Sequence, residues 1–236
     1  NILSSTLRLK GFRYPREVIG FVVWGTIAFV ELSATDLEDL WAERGILVSR
    51  ETDRLWVNRF GAHFAACIRR DRPKPNDKWH MDEVVISIHS WKYWLWRAID
   101  ANGGVLAIVV QTRRSAKTAK RFFNRLVAQF TELSVVITHK LCRYTKPIKA
   151  RAPEVEHRAH KGLNNAFEVS HRPTRKREKL FGRFKSHHQA QRFLSAHDQM
   201  NLVFLPRRYK LTTNIYRHTR AGAFSLWRDY TAEMVA

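Results

Sequence analysis

The 236 residues suffice for one or two domains with a true core, and 44% hydrophobic against 27% charged residues excludes a disordered chain. The net charge of +21 is uneven: residues 1–78 hold 13 Lys/Arg against 10 acids, whereas residues 79–236 hold 29 against 11. Such an excess self-repels unless a polyanion is nearby, so nucleic acid is the expected partner.

Cys67 and Cys142 are far apart and lack CxxC spacing. They support neither a disulfide framework nor a cysteine-based zinc site, and a reducing cytoplasm is the plain reading. The longest apolar run, Val18 to Val30, is 13 residues. That is short of the ~20 a membrane helix needs, so a buried helix is expected and no membrane partner. The chain begins at Asn1 rather than Met, so a few upstream residues are expected, and no signal peptide is visible.

The segment to about residue 70 reads as helical. "SATDLEDLWAERG" carries Leu37, Leu40 and Trp41 at three-to-four spacing, with Thr35 and Glu38 placed for a capping box, and Gly45 breaks it. Ser49 then caps "RETDRLWVNRF", whose first turn is acidic at Glu51 and Asp53. Helix, glycine turn and helix outline a helix-turn-helix, whose second helix would present Arg50, Arg54 and Asn58 to the major groove. Many small helical pairs without DNA share that outline.

"RRDRPKPNDK" has two prolines and no apolar residue, and residues 71–78 are read as a linker. "EVVISIH", "WKYWLWRAID" and "GGVLAIVVQ" read as three antiparallel strands. "SAKTAKRFFNRLVAQF" is an amphipathic helix capped by Ser115, and "SVVIT" is a fourth strand. This order predicts a mixed α/β sheet flanked by helices, preceded by a small all-α domain. Residues 172–192 hold eight Lys/Arg and one acid, and "RKREKLFGRFKS" and "QAQRFLSAHDQM" have helical character. Phe224 and Trp227 are expected to pack the tail back onto the core.

Acids are scarce after the linker, which makes Asp82, Glu83, Asp100 and Glu168 informative. A carboxylate in a positive field is favoured whatever its job, so Glu168 by itself reads first as a salt bridge to a nearby Arg. His157 and His160 have HxxH spacing but no Cys or carboxylate partner at zinc spacing; with His80 and His171 they read as neighbours of phosphate or of the catalytic acids. The tryptophans of "WKYWLWR" read as sheet core rather than base-stacking platforms.

"WHMDEVVISI", "KYWLWRAID", "VEHRAHKGLNNAFEVSHRPTRKREK" and "RFKSHHQAQRFLSAH" together resemble the bacterial transposases of the insertion sequence 6 family. "DLEDLWAERGILVSRET" looks like that family's N-terminal helix-turn-helix. The resemblance implies a ribonuclease H-like, integrase-like catalytic domain over residues 79–200, a DNA-binding module over 1–70 and a helical C-terminal extension over 201–236.

It also implies an Asp-Asp-Glu triad that holds two Mg²⁺ (or Mn²⁺) ions about 3.5–4 Å apart for DNA strand cleavage and transfer. Asp82 matches the first aspartate and Glu168 the glutamate, both as metal ligands. The second aspartate, expected after the threonine of the fourth strand, is replaced by His139 in "THKL". A neutral imidazole offers one nitrogen and no negative charge, so metal binding is expected to be weakened and this copy impaired. Three other departures accompany it: Val169 for an asparagine, Ala107 for an acid, and Asp53 in the recognition helix, where it would repel phosphate.

Implied partners are double-stranded DNA, as terminal inverted repeats and target, and further copies of the chain when DNA-bound, in the bacterial cytoplasm. Arg172, Arg175, Lys176 and Arg177 are the expected phosphate contacts. The competing reading is a decayed or repurposed DNA-binding protein without catalysis.

Overall fold

The structure, a computed structural model, describes residues 9–29, 31–138, 144–159, 184–204 and 211–235. It divides into two compact units, Asn1–Arg72 with Ser195–Ala236, and Pro73–Leu194.

In the first unit, the apolar run forms α1 (Arg16–Ala28), with Ile19, Val22, Val23, Trp24 and Ile27 buried. Gly25 is there because the Trp41 ring of α2 (Ala34–Ala42) occupies the space a Cβ would take. The capping box of α2 is Ser33 with Asp36, not Thr35 with Glu38. Both pairs have the required spacing, but the helix starts one turn-half earlier and leaves the second pair inside it.

Ser49 caps α3 (Arg50–Asp71) as expected. This helix runs on to Asp71, past the first residues of the proline-containing stretch. The C-terminal helix, here α7 (Thr213–Ala232), lies in the same unit: Trp227 stacks on Phe64 at 3.8 Å and 15°, and its Nε1 donates to the Gly20 carbonyl at 3.1 Å. Phe224 packs on Trp24 at 5.0 Å. Arg70 forks onto Glu233 at 2.7 and 3.0 Å.

The second unit is built on β1 (Lys78–Ile88), β2 (Trp91–Asp100), β3 (Val105–Gln111), β4 (Val135–Thr138) and β5 (Glu156–Ala159), in the order β3-β2-β1-β4-β5. β2 is antiparallel to β1 and β3; β4 is parallel to β1, and β5 to β4. One antiparallel strand beside a parallel remainder in that order is the ribonuclease H-like sheet. A two-residue turn with both residues left-handed, His89 (φ 47) and Ser90 (φ 67), joins β1 to β2.

Strand alternation sorts the faces. Trp79 and Met81 of β1, Trp96 and Ala98 of β2 and Val136 of β4 pack under α4 (Ala116–Gln129) and α5 (Thr145–Arg151) through Phe122, Phe123, Leu126, Tyr144 and Ile148. His80 and Asp82 therefore point to the opposite face. At the outer edge of β3, Gln191 of α6 (His187–Phe204) stands in for a missing strand. Its amide accepts from Val110 N at 2.7 Å and donates to Ile108 O at 3.0 Å.

Candidate active site

β1 is the central strand, with β2 paired along it past Asp82 and β4 paired with it as far as Met81. Asp82 is half-buried there; its Oδ1 accepts the Glu83 amide at 2.9 Å. In register beside it on β2 lies Arg97, only 4% exposed, and next along β1 on the same face lies buried His80. Arg97 was missed by sequence reasoning. Its signal was an arginine inside an otherwise apolar strand core, "LWRAI".

Glu83, adjacent in sequence, belongs to the other face and to another task. Its side chain is fully buried and accepts from Arg114 Nε at 2.6 Å and from Tyr144 Oη at 3.4 Å. Arg114 in turn lies over the Trp94 ring at 4.6 Å. Burial first, then the nearby charges of Glu83 and Asp82, push the Tyr144 hydroxyl well above its ordinary range, so it stays a protonated donor. Asp100 is likewise structural: it holds the β2–β3 turn by accepting from Gly104 N at 2.6 Å and from Asn76 N at 3.2 Å.

The register brings the end of β4 to this place. Met81, just before Asp82, pairs with Thr138, just before His139 in sequence. Thr138 is fully buried, and its hydroxyl is 2.9 Å from His157 Nε2 on β5. Burial and then Lys149 lower the His157 pKa, so that ring is neutral in neutral solution.

His139 and Glu168 lie outside the described residues, as do Arg172, Arg175, Lys176 and Arg177, and with them His160, Val169 and His171. Among the described residues no three His, Cys, Asp or Glu side chains gather as a metal site.

In the helical unit, Arg50, Arg54 and Asn58 share one face of α3 at four-residue spacing. Arg50 is exposed, and Arg54 pairs with Glu51 at 3.5 Å. Asp53 does not face that way, contrary to the expectation that it would repel phosphate. It is 2% exposed, accepting from Thr26 Oγ1 at 2.6 Å and from Trp41 Nε1 at 3.5 Å, and so ties α3 to α1 and α2. Of the sheet tryptophans, Trp79 and Trp96 are core, but Trp91 at the hairpin tip is 75% exposed. None of the helices in the described residues is long and apolar enough to cross a membrane.

A ribonuclease H-like sheet with an aspartate on its central strand, joined in one chain to a helical unit, is the class this geometry defines. The family model described as a DDE domain matches residues 76–205. Transposases for the insertion sequence-like element IS431mec from strains of Staphylococcus aureus are 33% identical over 170 residues, covering 68% of this chain and 75% of theirs. The transposase for insertion sequence element IS257 in transposon Tn4003, also from Staphylococcus aureus, is 32% identical over 170 residues, with the same coverage. The catalytic core domain of BIV integrase is a solved structure with a TM-score of 0.40 and 14% identity, covering 63% of this chain and 98% of that one. The chain belongs to the insertion sequence 6 family of DDE transposases, a family of DNA transposition.

Proposed function

We propose that this chain binds the ends of an insertion sequence and that its strand-transfer centre, made of Asp82, His139 and Glu168, is impaired by the histidine. The observation that carries the reading is the pairing of Met81 with Thr138, which sets the residues before Asp82 and before His139 side by side in parallel strands. Strand alternation puts His80, Asp82 and Ile137 on one face.

The donor set fits one divalent cation better than two. Asp82 and Glu168 supply hard carboxylate oxygens, whereas an imidazole supplies neither a bridging oxygen nor a negative charge. A bound Mg²⁺ or Mn²⁺ would act as a Lewis acid on the phosphate oxygens. The chain's own part is to hold the DNA. Arg172, Arg175, Lys176 and Arg177 neutralise phosphates, and Arg50, Arg54 and Asn58 face the groove of the element end. In the family reaction, water cleaves one strand and leaves a 3′-hydroxyl. That hydroxyl attacks a target phosphate and displaces the target's own 3′-oxygen. Two ends must be held together, so the DNA-bound form is an oligomer, in a reducing bacterial cytoplasm.

The replaced aspartate supports the second reading, a DNA-binding protein that occupies the ends without cutting them. A strand-joining assay with end-bearing duplex, in Mg²⁺ and in Mn²⁺, separates the two. The parent is expected to join little, and His139→Asp to raise joining at least about a hundredfold, the low end for restoring one preorganised electrostatic group, here a carboxylate that would hold the cation that stabilises the transition state. A parent that joins as well as the Asp variant overturns the impairment. An Asp variant as inert as the parent favours the binding-only protein.

A further inference from the structure

Residues 101–131 hold six Lys/Arg and no acid. Folding collects five of these cations at one place. Lys117, Lys120, Arg121 and Arg125 form the exposed face of α4, and exposed Arg113 lies just before it. The sixth, Arg114, is turned inward to Glu83. Among the described residues none of the five has an ion pair. Exposed cations elsewhere do find acids, as Lys74 finds Glu132, Arg158 finds Glu156 and Arg70 finds Asp71 and Glu233.

Lys117, Arg121 and Arg125 stand at four-residue spacing, a row about 12 Å long at 1.5 Å per residue. Along duplex DNA that length presents about seven phosphate charges at one per 1.7 Å of axis. Beside the row, between α4 and β3, is a cavity of about 170 Å³ lined by Val109, Gln111, Thr118, Arg121, Phe122 and Arg125. Its four polar side chains carry the donors a phosphate oxygen needs. The exposed face of α4 has no aromatic or large aliphatic anchor of the kind that centres a protein interface.

We propose that the α4 face is a further, sequence-independent track for duplex DNA, built from residues other than the basic segment at 172–177 and the face of α3. It rests on the DNA-binding part of the function above and not on catalysis. The row contacts backbone and carries no base code, so it suits flanking or target DNA rather than the element's ends.

The test uses the full chain with random-sequence duplex and the triple variant Lys117→Gln, Arg121→Gln, Arg125→Gln. All three positions are exposed, so circular dichroism and melting are expected to be unchanged. Log affinity against log salt should lose about 2 to 3 units of slope, near 0.9 for each lost phosphate contact. Duplex should also protect Lys117 and Lys120 of the parent from acetylation, read by mass spectrometry. An unchanged slope in a folded variant, or equal acetylation with and without duplex, overturns the track. So does protection by poly-glutamate in place of duplex, which would mark a surface for acidic protein. A parent that binds duplex but never joins strands, beside a variant that shows the slope loss, leaves the track standing while the catalytic reading fails.

Discussion

Asp53 shows how little a residue type says without its direction. An acid in the first turn of a DNA-reading helix looks like phosphate repulsion, yet the side chain points inward to Thr26 and Trp41. Nothing local to "RETDR" encodes that; the partners lie 27 and 12 residues away. Asp53→Ala should therefore cost about 1–3 kcal/mol of stability, since Trp41 Nε1 loses its buried acceptor while the Thr26 hydroxyl can still donate to the Val22 carbonyl. Chemical denaturation measures it. Tighter duplex binding at unchanged stability would instead restore the repulsion account. Glu83 and Arg114 make a parallel case. Truncating Arg114→Ala strands a fully buried carboxylate, and with Arg114 itself 30% exposed the loss should be about 3 kcal/mol, at the lower end for a broken buried pair. A change below about 0.5 kcal/mol would mean that water already screens the pair.

At the scale of elements, the sequence was most legible where periodicity is long. The alternation of β2 and β3, the apolar stripe of α4 and the apolar run of α1 appear where the pattern put them. β1 instead starts at Lys78, five residues before the alternation of "EVVISIH", because "KWHMD" pairs with β2 and β4. β5 did not announce itself, because "EHRA" has no apolar alternation. It is a short edge strand whose place comes from parallel pairing with β4. The same pairing creates the contact between Thr138 and His157 at the end of the strand that leads to the candidate site. His157 gives that junction a pH dependence. The unfolded imidazole titrates near 6.5, and burial followed by Lys149 holds the folded value lower. Below about 6.5 the unfolded chain gains a proton that the folded ring resists. Stability is thus fully present above that pH and is lost as pH falls towards the folded value. The drop in melting temperature between pH 7 and pH 5 should shrink in His157→Gln, which keeps a partner for Thr138. An identical drop in both proteins would remove His157 as its source. Of the proposed site, Asp82 in its family-like block lies on the central strand, whereas His139 and Glu168 fall outside the described residues. The division of labour between Asp82 and Glu83 was not legible in the sequence, because only strand alternation against a packed face separates them.

For the whole molecule, charge is the dominant physical fact. A chain of 236 residues with a net charge of +21 carries self-repulsion that folding concentrates, and 18 of the surplus cations lie in residues 79–236. A partner that neutralises this charge in the folded form must stabilise it, since duplex binding to the native state adds RT ln(1 + [L]/Kd). At a duplex concentration about 100-fold above Kd the gain is about 2.7 kcal/mol. For a chain of this size that corresponds to a rise in melting temperature of roughly 5 to 10 °C. Counterion release makes the rise salt-dependent: it should shrink steeply between about 50 and 200 mM salt, where several phosphate contacts cost about three decades of affinity or more. A neutral polymer at equal mass concentration should give none of it, because crowding contributes only about 0.2–1 kcal/mol. Differential scanning fluorimetry with duplex, at low and moderate salt, reads all three. Melting that ignores duplex at low salt would mean that the positive excess is merely a solvated surface. The basic segment, the α3 face and the α4 track would then lose their common cause together.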